Sequence, residues 1–206
     1  MTVDTVVLIP ESTRKRKGGD PYLKMVDGFA DGLPKAEKER LLSLRAEVAS
    51  TWKNAGAKDG VMPAFARFDG NMYRHIPRDA WEGSSANVDV LIVSALYGLV
   101  ASRDTIFAYP HSMAESTPPF GKMNRWWHGK GLPSLLAANL NAGKPTVVVD
   151  LLSLEYREAV AGYEASLRGI KVKPIAFPGT GRGSQPLRGE KEIGRASCRE
   201  RVYVLV

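Results

Sequence analysis

The chain has 206 residues, 44% of them hydrophobic and 25% charged, which is the composition of one globular domain with material for a substantial core. This composition excludes disordered and fibrous proteins, and the formal net charge of +7 is compatible with an anionic partner. Residues 6–9 are too short an apolar run for a signal peptide, and no segment approaches the ~20 apolar residues of a membrane span. We therefore expect a cytoplasmic protein that does not enter a membrane.

The first half of the chain predicts one buried strand and one long helix. Residues 5–9 form an apolar run that a proline ends, and a polar loop with four consecutive basic residues follows it. Pro34 opens a helix that is predicted to continue to about residue 53, because its apolar residues recur on one face. Further along, Asp69 and Gly70 predict a tight turn.

The second half of the chain alternates strands and helices. Residues 88–93 are a nearly continuous apolar run, typical of a strand covered on both faces, and a polar turn containing glycine ends it at residues 94–98. This alternation predicts an α/β fold, in a single domain with a central mixed, partly parallel sheet flanked by helices. The remaining predicted elements are a helix over residues 122–141 broken at 129–131, a strand at 146–150, a helix at 155–167 and an edge strand at 170–177.

Polar loops follow three of the strands, at residues 12–17, 94–104 and 150–156, and contain most of the candidate site residues. If these strands are parallel neighbours, the loops meet at one edge of the sheet, where α/β proteins bind their ligands. The catalytic candidates are Ser94, Asp104, Tyr109, His111 and Asp150, and the nucleic-acid or anion-binding candidates are Ser12, Lys15, Tyr97, Gly98, Arg103 and Arg182.

These residue types allow both a functional and a structural interpretation. Lys15 is suited to binding an anion, the aspartates to orienting a sugar or acting as bases, and the tyrosines to stacking on a base or donating a hydrogen bond. Taken one at a time, the aspartates are equally suited to capping turns, and the tyrosines to packing with their hydroxyls in water. His111 is the best candidate for acid–base work because it lies on one of the loops.

Familiar catalytic signatures are missing from the sequence. It has no P-loop, no H-E-x-x-H and no G-x-S-x-G motif. His75, His111 and His128 are far apart and have no carboxylate at ligand spacing on a shared helix, so we expect neither a metal site nor a cofactor. A glycine-rich basic run at residues 179–183 fits either a phosphate-binding loop or a flexible one.

The end of the chain has a different character. Under one choice of codons, residues from 193 onward correspond to the start of a common sequencing-library adapter translated in frame. We therefore expect residues 1–191 to form the domain and residues 192–206 to be a non-native read-through tail, the alternative being a short native strand at 202–206. Without residues 193–206 the chain keeps 26 basic and 21 acidic residues and loses Cys198, its only cysteine, which excludes disulfides and thiolate chemistry.

Several motifs occur along the chain in a particular order. They are Pro10, Ser12 and Lys15 after the first strand, F-x-G-x-x-Y at 68–73, S-A-L-Y-G at 94–98, Asp104, Y-P-x-x-M at 109–113, Trp127 and D-L-x-S-x-x-Y at 150–156. This series resembles the YaaA peroxide-stress family. The chain departs from the family pattern at Ala95, where the family has glycine, and at Pro110, where it has arginine, and the basic C-terminal segment of the family is absent.

The resemblance implies a YaaA-like fold, a role in the peroxide and oxidative-stress response, and DNA binding through a basic cleft. The residues themselves leave two alternatives open: an enzyme acting on a nucleotide or modified nucleobase in a pocket formed by the three loops, and a binding domain without chemistry. A deep closed pocket would favour the enzyme, and an open groove flanked by Lys15 and Arg182 would favour nucleic acid. No pattern in the sequence indicates an oligomeric state.

Overall fold

A computed structural model describes residues 4–52, 60–76, 81 and 87–175. The predicted read-through tail, the glycine-rich run and Arg182 lie outside the described residues. The strands are β1 (Thr5–Pro10), β2 (Met62–Pro63), β3 (Val88–Ser94), β4 (Gly98–Ala101), β5 (Thr105–Ile106), β6 (Ser116–Thr117), β7 (Gly121–Lys122), β8 (Val147–Asp150) and β9 (Lys171–Pro174). The helices are α1 (Gly28–Asp31), α2 (Lys35–Thr51), α3 (Ala64–Arg67), α4 (Asn71–Arg74), α5 (Met123–Gly129), α6 (Leu132–Gly143) and α7 (Leu154–Val160), with a 3₁₀ turn at Tyr163–Ser166.

A five-stranded mixed sheet forms the centre of the domain. Its spatial order is β4-β3-β1-β8-β9, in which every neighbouring pair is parallel except β3 and β4. All six residues of β1 are buried, because this strand lies in the middle of the sheet and is covered on both faces. The predicted α/β fold, with a mixed and partly parallel sheet flanked by helices in a single domain, is confirmed.

The helices follow the sequence pattern closely. Helix α2 begins after Pro34 and buries an apolar stripe that includes Leu41 and Val48, both 0% exposed. The predicted second helix is divided into α5 and α6, and Gly131 stands between them with a φ of 83°, a conformation that favours glycine. The predicted helix over residues 155–167 is shorter, because the chain leaves α7 after Val160 and continues as the 3₁₀ turn.

The turn after β3 differs from the predicted loop. Residues 98–101 fold back as β4, antiparallel to β3, so that Ser94 pairs with Gly98. Gly98 makes this hairpin possible, since its φ is 70° and a Cβ atom there would lie 2.9 Å from both Trp127 and Leu132. In the described part of the chain, no helix has the length and apolar character needed to cross a membrane.

Candidate functional site

The carboxyl ends of β3, β1 and β8 lie side by side at one edge of the sheet. The register pairs Pro10 with Val93 on one side of β1 and Leu8 with Asp150 on the other. Because the three strands are parallel neighbours, the loops that follow them meet at this edge. The predicted convergence of the three loops is therefore confirmed.

Glu11, the first residue after β1, lies at the centre of this edge and is not among the residues that the sequence pattern predicts. Its side chain is 0% exposed. One carboxylate oxygen accepts hydrogen bonds from the backbone N–H groups of Ala95 at 3.1 Å and Met113 at 2.7 Å. The other accepts a hydrogen bond from the Tyr109 hydroxyl and lies 3.6 Å from Nζ of Lys15. Burial raises the pKa of Glu11, against the opposing effect of the lysine.

Lys15 points into the same interior. Its side chain is 3% exposed, and its Nζ donates a hydrogen bond to the backbone carbonyl of His111 at 2.7 Å. Nζ also lies 4.0 Å from the centroid of the Tyr109 ring, which is a cation–π contact. Burial lowers the pKa of Lys15, opposed by the carboxylate of Glu11. Desolvation therefore pushes both members of this buried pair towards their neutral forms.

Three of the catalytic candidates complete what we call the buried cluster: Glu11, Lys15, Ser94, Tyr109 and His111. The hydroxyls of Ser94 and Tyr109 are 2.6 Å apart, and burial raises the pKa of Tyr109 so that it stays a proton donor to Glu11. The side chain of His111 is 35% exposed, and its Nδ1 lies 3.2 Å from Glu115. His111 is thus the most exposed member of the cluster, and it joins the cluster through its backbone carbonyl.

The carboxylates of the two aspartate candidates bind backbone N–H groups and are not part of the buried cluster. Asp104 accepts hydrogen bonds from the N–H groups of Gly28 at 2.6 Å, Phe29 at 3.2 Å and Ala101 at 2.8 Å. It thereby joins the start of α1 to the turn after β4. Asp150 lies at the edge of the sheet, but its carboxylate accepts a hydrogen bond from the N–H of Leu152 at 2.8 Å and pairs with Arg157 at 2.9 Å. Both positions fit the structural interpretation that the sequence left open.

Asp104 gives a pH-dependence that can be measured. Burial raises its pKa from 3.8 to about 6, although its three backbone hydrogen bonds favour the carboxylate. Since the folded-state pKa is the higher one, the stabilisation is complete below pH 3.8 and is lost as the pH rises through about 6. We expect this residue to lower the free energy of unfolding by about 3 kcal/mol across that window. Urea unfolding at a series of pH values gives the free energy of unfolding at each pH. Across this window that free energy should fall less with rising pH in Asp104→Asn than in the wild-type protein. An equal fall in the two proteins would contradict the prediction.

The anion-binding candidates are divided between interior and surface. Ser12 is 9% exposed, and its hydroxyl accepts a hydrogen bond from the N–H of Arg14 at 3.2 Å. Tyr97 lies in the turn between β3 and β4, and Gly98 is the first residue of β4. The Tyr97 hydroxyl accepts a hydrogen bond from the N–H of Phe107 at 3.0 Å. Arg103 is exposed, and its guanidinium lies 3.4 Å from the carbonyl of Trp81.

A basic surface lies next to the buried cluster, and we call it the arginine patch: Arg14, Arg16 and Arg74 around Asp69. Arg74 lies 2.8 Å and Arg16 3.5 Å from the Asp69 carboxylate, and Arg14 donates to the Asp69 carbonyl at 2.7 Å. The three side chains are 52%, 59% and 56% exposed. Hydrogen bonding from Arg74 lowers the pKa of Asp69. The patch keeps a net positive charge, because three cations share one carboxylate.

The backbone explains why the patch and the cluster adjoin. Lys15 forms an isolated antiparallel bridge with Phe68. Its side chain is buried, whereas those of Arg14 and Arg16 on either side of it are exposed. Among the described residues, no group of three histidine, cysteine, aspartate or glutamate side chains is placed to hold a metal ion.

Comparison with known proteins shows similarity to one family model and to one curated relative. The family model described as "Peroxide stress protein YaaA" matches residues 29–180. A UPF0246 protein from Ruegeria sp. (strain TM1040) is 30% identical over 143 residues, which cover 65% of this chain. The chain spans 56% of the length of that relative. The matched range of the family model begins after Glu11 and Lys15, so what we infer for these two residues rests on the structure.

Proposed function

Because the chain belongs to the YaaA family of peroxide stress proteins, we propose that it acts in the response to peroxide by binding DNA through the arginine patch. The observation that carries this proposal is the exposure of three guanidinium groups around the single carboxylate of Asp69. Each guanidinium has several N–H donors in a planar fork that matches phosphate oxygens. One carboxylate leaves most of these donors available to a ligand.

The weakness of the existing ion pairs supports the same proposal. Pairs between exposed side chains contribute about 0–1 kcal/mol each, because water and salt screen them. A phosphate that approaches the patch therefore displaces little stabilisation, while its own negative charge meets three cations. Such contacts release counterions from DNA, so binding through them weakens as salt rises.

We expect the triple variant Arg14→Gln, Arg16→Gln, Arg74→Gln to bind duplex DNA roughly tenfold or more weakly, whatever the DNA sequence. The slope of log affinity against log salt should become shallower by about 2–3, since three phosphate contacts are lost. Fluorescence anisotropy of a labelled duplex between about 50 and about 200 mM salt measures both quantities.

A matched control removes the same charge elsewhere. Lys35, Arg125 and Arg168 are exposed and lie on or beside other elements, so their triple glutamine variant should retain most of the affinity. Equal losses of DNA affinity in the two triple variants would mean that net charge, and not the position of the arginines, determines binding. Absence of binding at low salt, or binding that does not weaken with salt, would overturn the proposal itself.

An enzyme acting on a nucleotide or modified nucleobase is the second candidate. The buried cluster favours it, because ionisable groups with shifted pKa values gather at functional sites. Calorimetry with free nucleotides distinguishes the two proposed functions. Binding that is lost in Lys15→Arg but kept in the arginine-patch variant would favour the enzyme.

A further inference from the structure

The carboxylate of Asp69 occupies the point at which the three guanidinium groups of the arginine patch meet. Arg74 donates two parallel hydrogen bonds to it, from Nε to Oδ1 at 3.1 Å and from Nη2 to Oδ2 at 2.8 Å. Nη2 of Arg16 lies 3.5 Å from Oδ1, and Nε of Arg14 lies 3.7 Å from Oδ2. Each carboxylate oxygen therefore contacts two arginines, and the parallel pair from Arg74 is the arrangement in which arginine also binds phosphate.

Asp69 carries its negative charge at neutral pH. Hydrogen bonding from Arg74 lowers the pKa of this carboxyl below its ordinary value of 3.8, and the positive charges of Arg74 and Arg16 act in the same direction. The side chain is 18% exposed, so it lies at the surface of the protein and within reach of dissolved ions. An anion that approaches the meeting point of the arginines therefore finds a negative charge already there.

The backbone of Asp69 is held independently of its carboxylate. Its N–H donates a hydrogen bond to the carbonyl of Arg14 at 3.0 Å, and its own carbonyl accepts one from Nε of Arg14 at 2.7 Å. The next residue, Gly70, packs so closely against Ser12 that a Cβ atom on the glycine would overlap the Ser12 hydroxyl. Because the turn is fixed in this way, the carboxylate leaves the arginines by rotation about its side-chain bonds.

A small anion and DNA compete with this carboxylate on unequal terms. The carboxylate is part of the same chain, so its effective concentration at the arginines is high compared with that of a dissolved ion. One inorganic phosphate ion makes contacts of the same kind as those that it breaks, and it gains little. DNA carries one negative charge per about 1.7 Å of helix axis, so several phosphates reach the patch together and each arginine gains a partner of its own.

We propose that Asp69 determines the specificity of the arginine patch, because it excludes small anions and gives way only to a ligand that presents several phosphates at once. The inference rests on the DNA binding proposed above, since DNA is the ligand with several phosphates. In the free protein the carboxylate of Asp69 takes the place of a phosphate. In the complex it turns into solvent, and Arg14, Arg16 and Arg74 each contact a phosphate of the DNA.

Competition between DNA and inorganic phosphate tests this role. The complete 206-residue protein binds a labelled duplex, and sodium phosphate or sodium chloride of the same ionic strength is added while fluorescence anisotropy is followed. We expect the two salts to weaken DNA binding by the wild-type protein equally. In Asp69→Asn, phosphate should weaken it roughly threefold or more beyond chloride. Without phosphate, the DNA affinity of this variant should rise roughly three- to tenfold, because the exposed ion pairs with Asp69 no longer compete.

Two further variants separate the position of Asp69 from its charge. Asp31→Asn removes a carboxylate that is 65% exposed and pairs with Lys38, so it changes the net charge by the same amount. Its sensitivity to phosphate should equal that of the wild-type protein. The asparagine of Asp69→Asn keeps one oxygen that can accept a hydrogen bond from Arg74, whereas Asp69→Ala keeps none. Asp69→Ala should therefore be at least as sensitive to phosphate as Asp69→Asn.

A titration with inorganic phosphate alone distinguishes this inference from the proposed function. The Nε–H signals of the three patch arginines are followed by NMR without DNA, and Asp69→Asn should bind phosphate at several-fold lower concentration than the wild-type protein. Equal phosphate binding by the two proteins overturns the role of Asp69 and leaves the proposed function standing. So does weaker DNA binding by Asp69→Asn, or a wild-type protein that phosphate inhibits more than chloride does. Absence of DNA binding by the wild-type protein at low salt overturns the proposed function, and the exclusion of phosphate by Asp69 then stands or falls with the titration.

Discussion

Replacing Lys15 with methionine is expected to lower the free energy of unfolding by about 3–5 kcal/mol, because it leaves a buried carboxylate without its cation. The side chains of Glu11 and Lys15 are 0% and 3% exposed, so water cannot take the place of the lysine. The remaining hydrogen bonds from Ala95, Met113 and Tyr109 compensate only in part. Urea unfolding followed by tryptophan fluorescence measures the loss.

Two further measurements show whether the uncompensated charge is the cause. Burial already raises the pKa of Glu11 above 4.5, and removal of the lysine raises it further. A folded-state pKa that is higher than the unfolded one means that stability is greatest at low pH and is lost as pH rises, so the deficit of Lys15→Met should shrink on acidification. The double variant with Glu11→Gln should recover most of the loss. A deficit that is independent of pH and unchanged in the double variant would contradict this explanation.

Arg67→Met is expected to have an effect of similar size, about 3–5 kcal/mol. Arg67 is 0% exposed, and its guanidinium donates hydrogen bonds to four backbone carbonyls. These belong to Arg16 at 2.6 Å, Gly18 at 2.8 Å, Gly60 at 3.0 Å and Ile106 at 3.3 Å. Without the guanidinium these acceptors lose a buried donor, and the segment that bears the arginine patch loses its attachment to the core.

The Arg67→Met substitution should change hydrogen exchange at one backbone amide as well as the free energy of unfolding. The N–H of Arg16 donates to the carbonyl of Arg67 at 2.7 Å, so hydrogen exchange at this amide should accelerate in the variant, together with weaker DNA binding. Arg67→Lys should recover little, because an ammonium cannot reproduce the planar fork. Arg74→Met changes an arginine that is 52% exposed and should cost less than about 0.5 kcal/mol. Similar stability losses in the two methionine variants would contradict the role given to Arg67.

The fold was predictable where one strand or helix carries its own pattern. Strands β1, β3 and β8 are short apolar runs, because parallel strands in the middle of a sheet are buried on both faces, and their positions agree with the sequence to within one or two residues. Strand β4 was missed, since Gly98 in a polar turn resembles a loop until a partner strand is known. The two-residue strands, such as β2 and β5, are too short for any periodicity to indicate them.

The sequence predicts the location of the site better than the residues that form it. Lys15, Ser94 and Tyr109 were selected because they follow strand ends, and the structure brings them together. Glu11 was missed because a charged residue next to a basic loop reads as solvated surface. Its burial depends on Ala95, Tyr109 and Met113, which are 84, 98 and 102 residues away in the chain. Nothing local to residues 10–15 reveals those partners.

The bridge between Lys15 and Phe68 makes the length of the preceding segment matter. The backbone bends at residues 13 and 14, residues 13, 14 and 16 are exposed, and the side chain of Lys15 is 3% exposed. Because Pro10 ends β1 and the bridge fixes the partner of Phe68, deleting one residue between Pro10 and Lys15 would place Arg16 opposite Phe68 and bring a guanidinium into the space of the lysine. A graft of this segment into another scaffold would therefore need both attachment points at the same spacing.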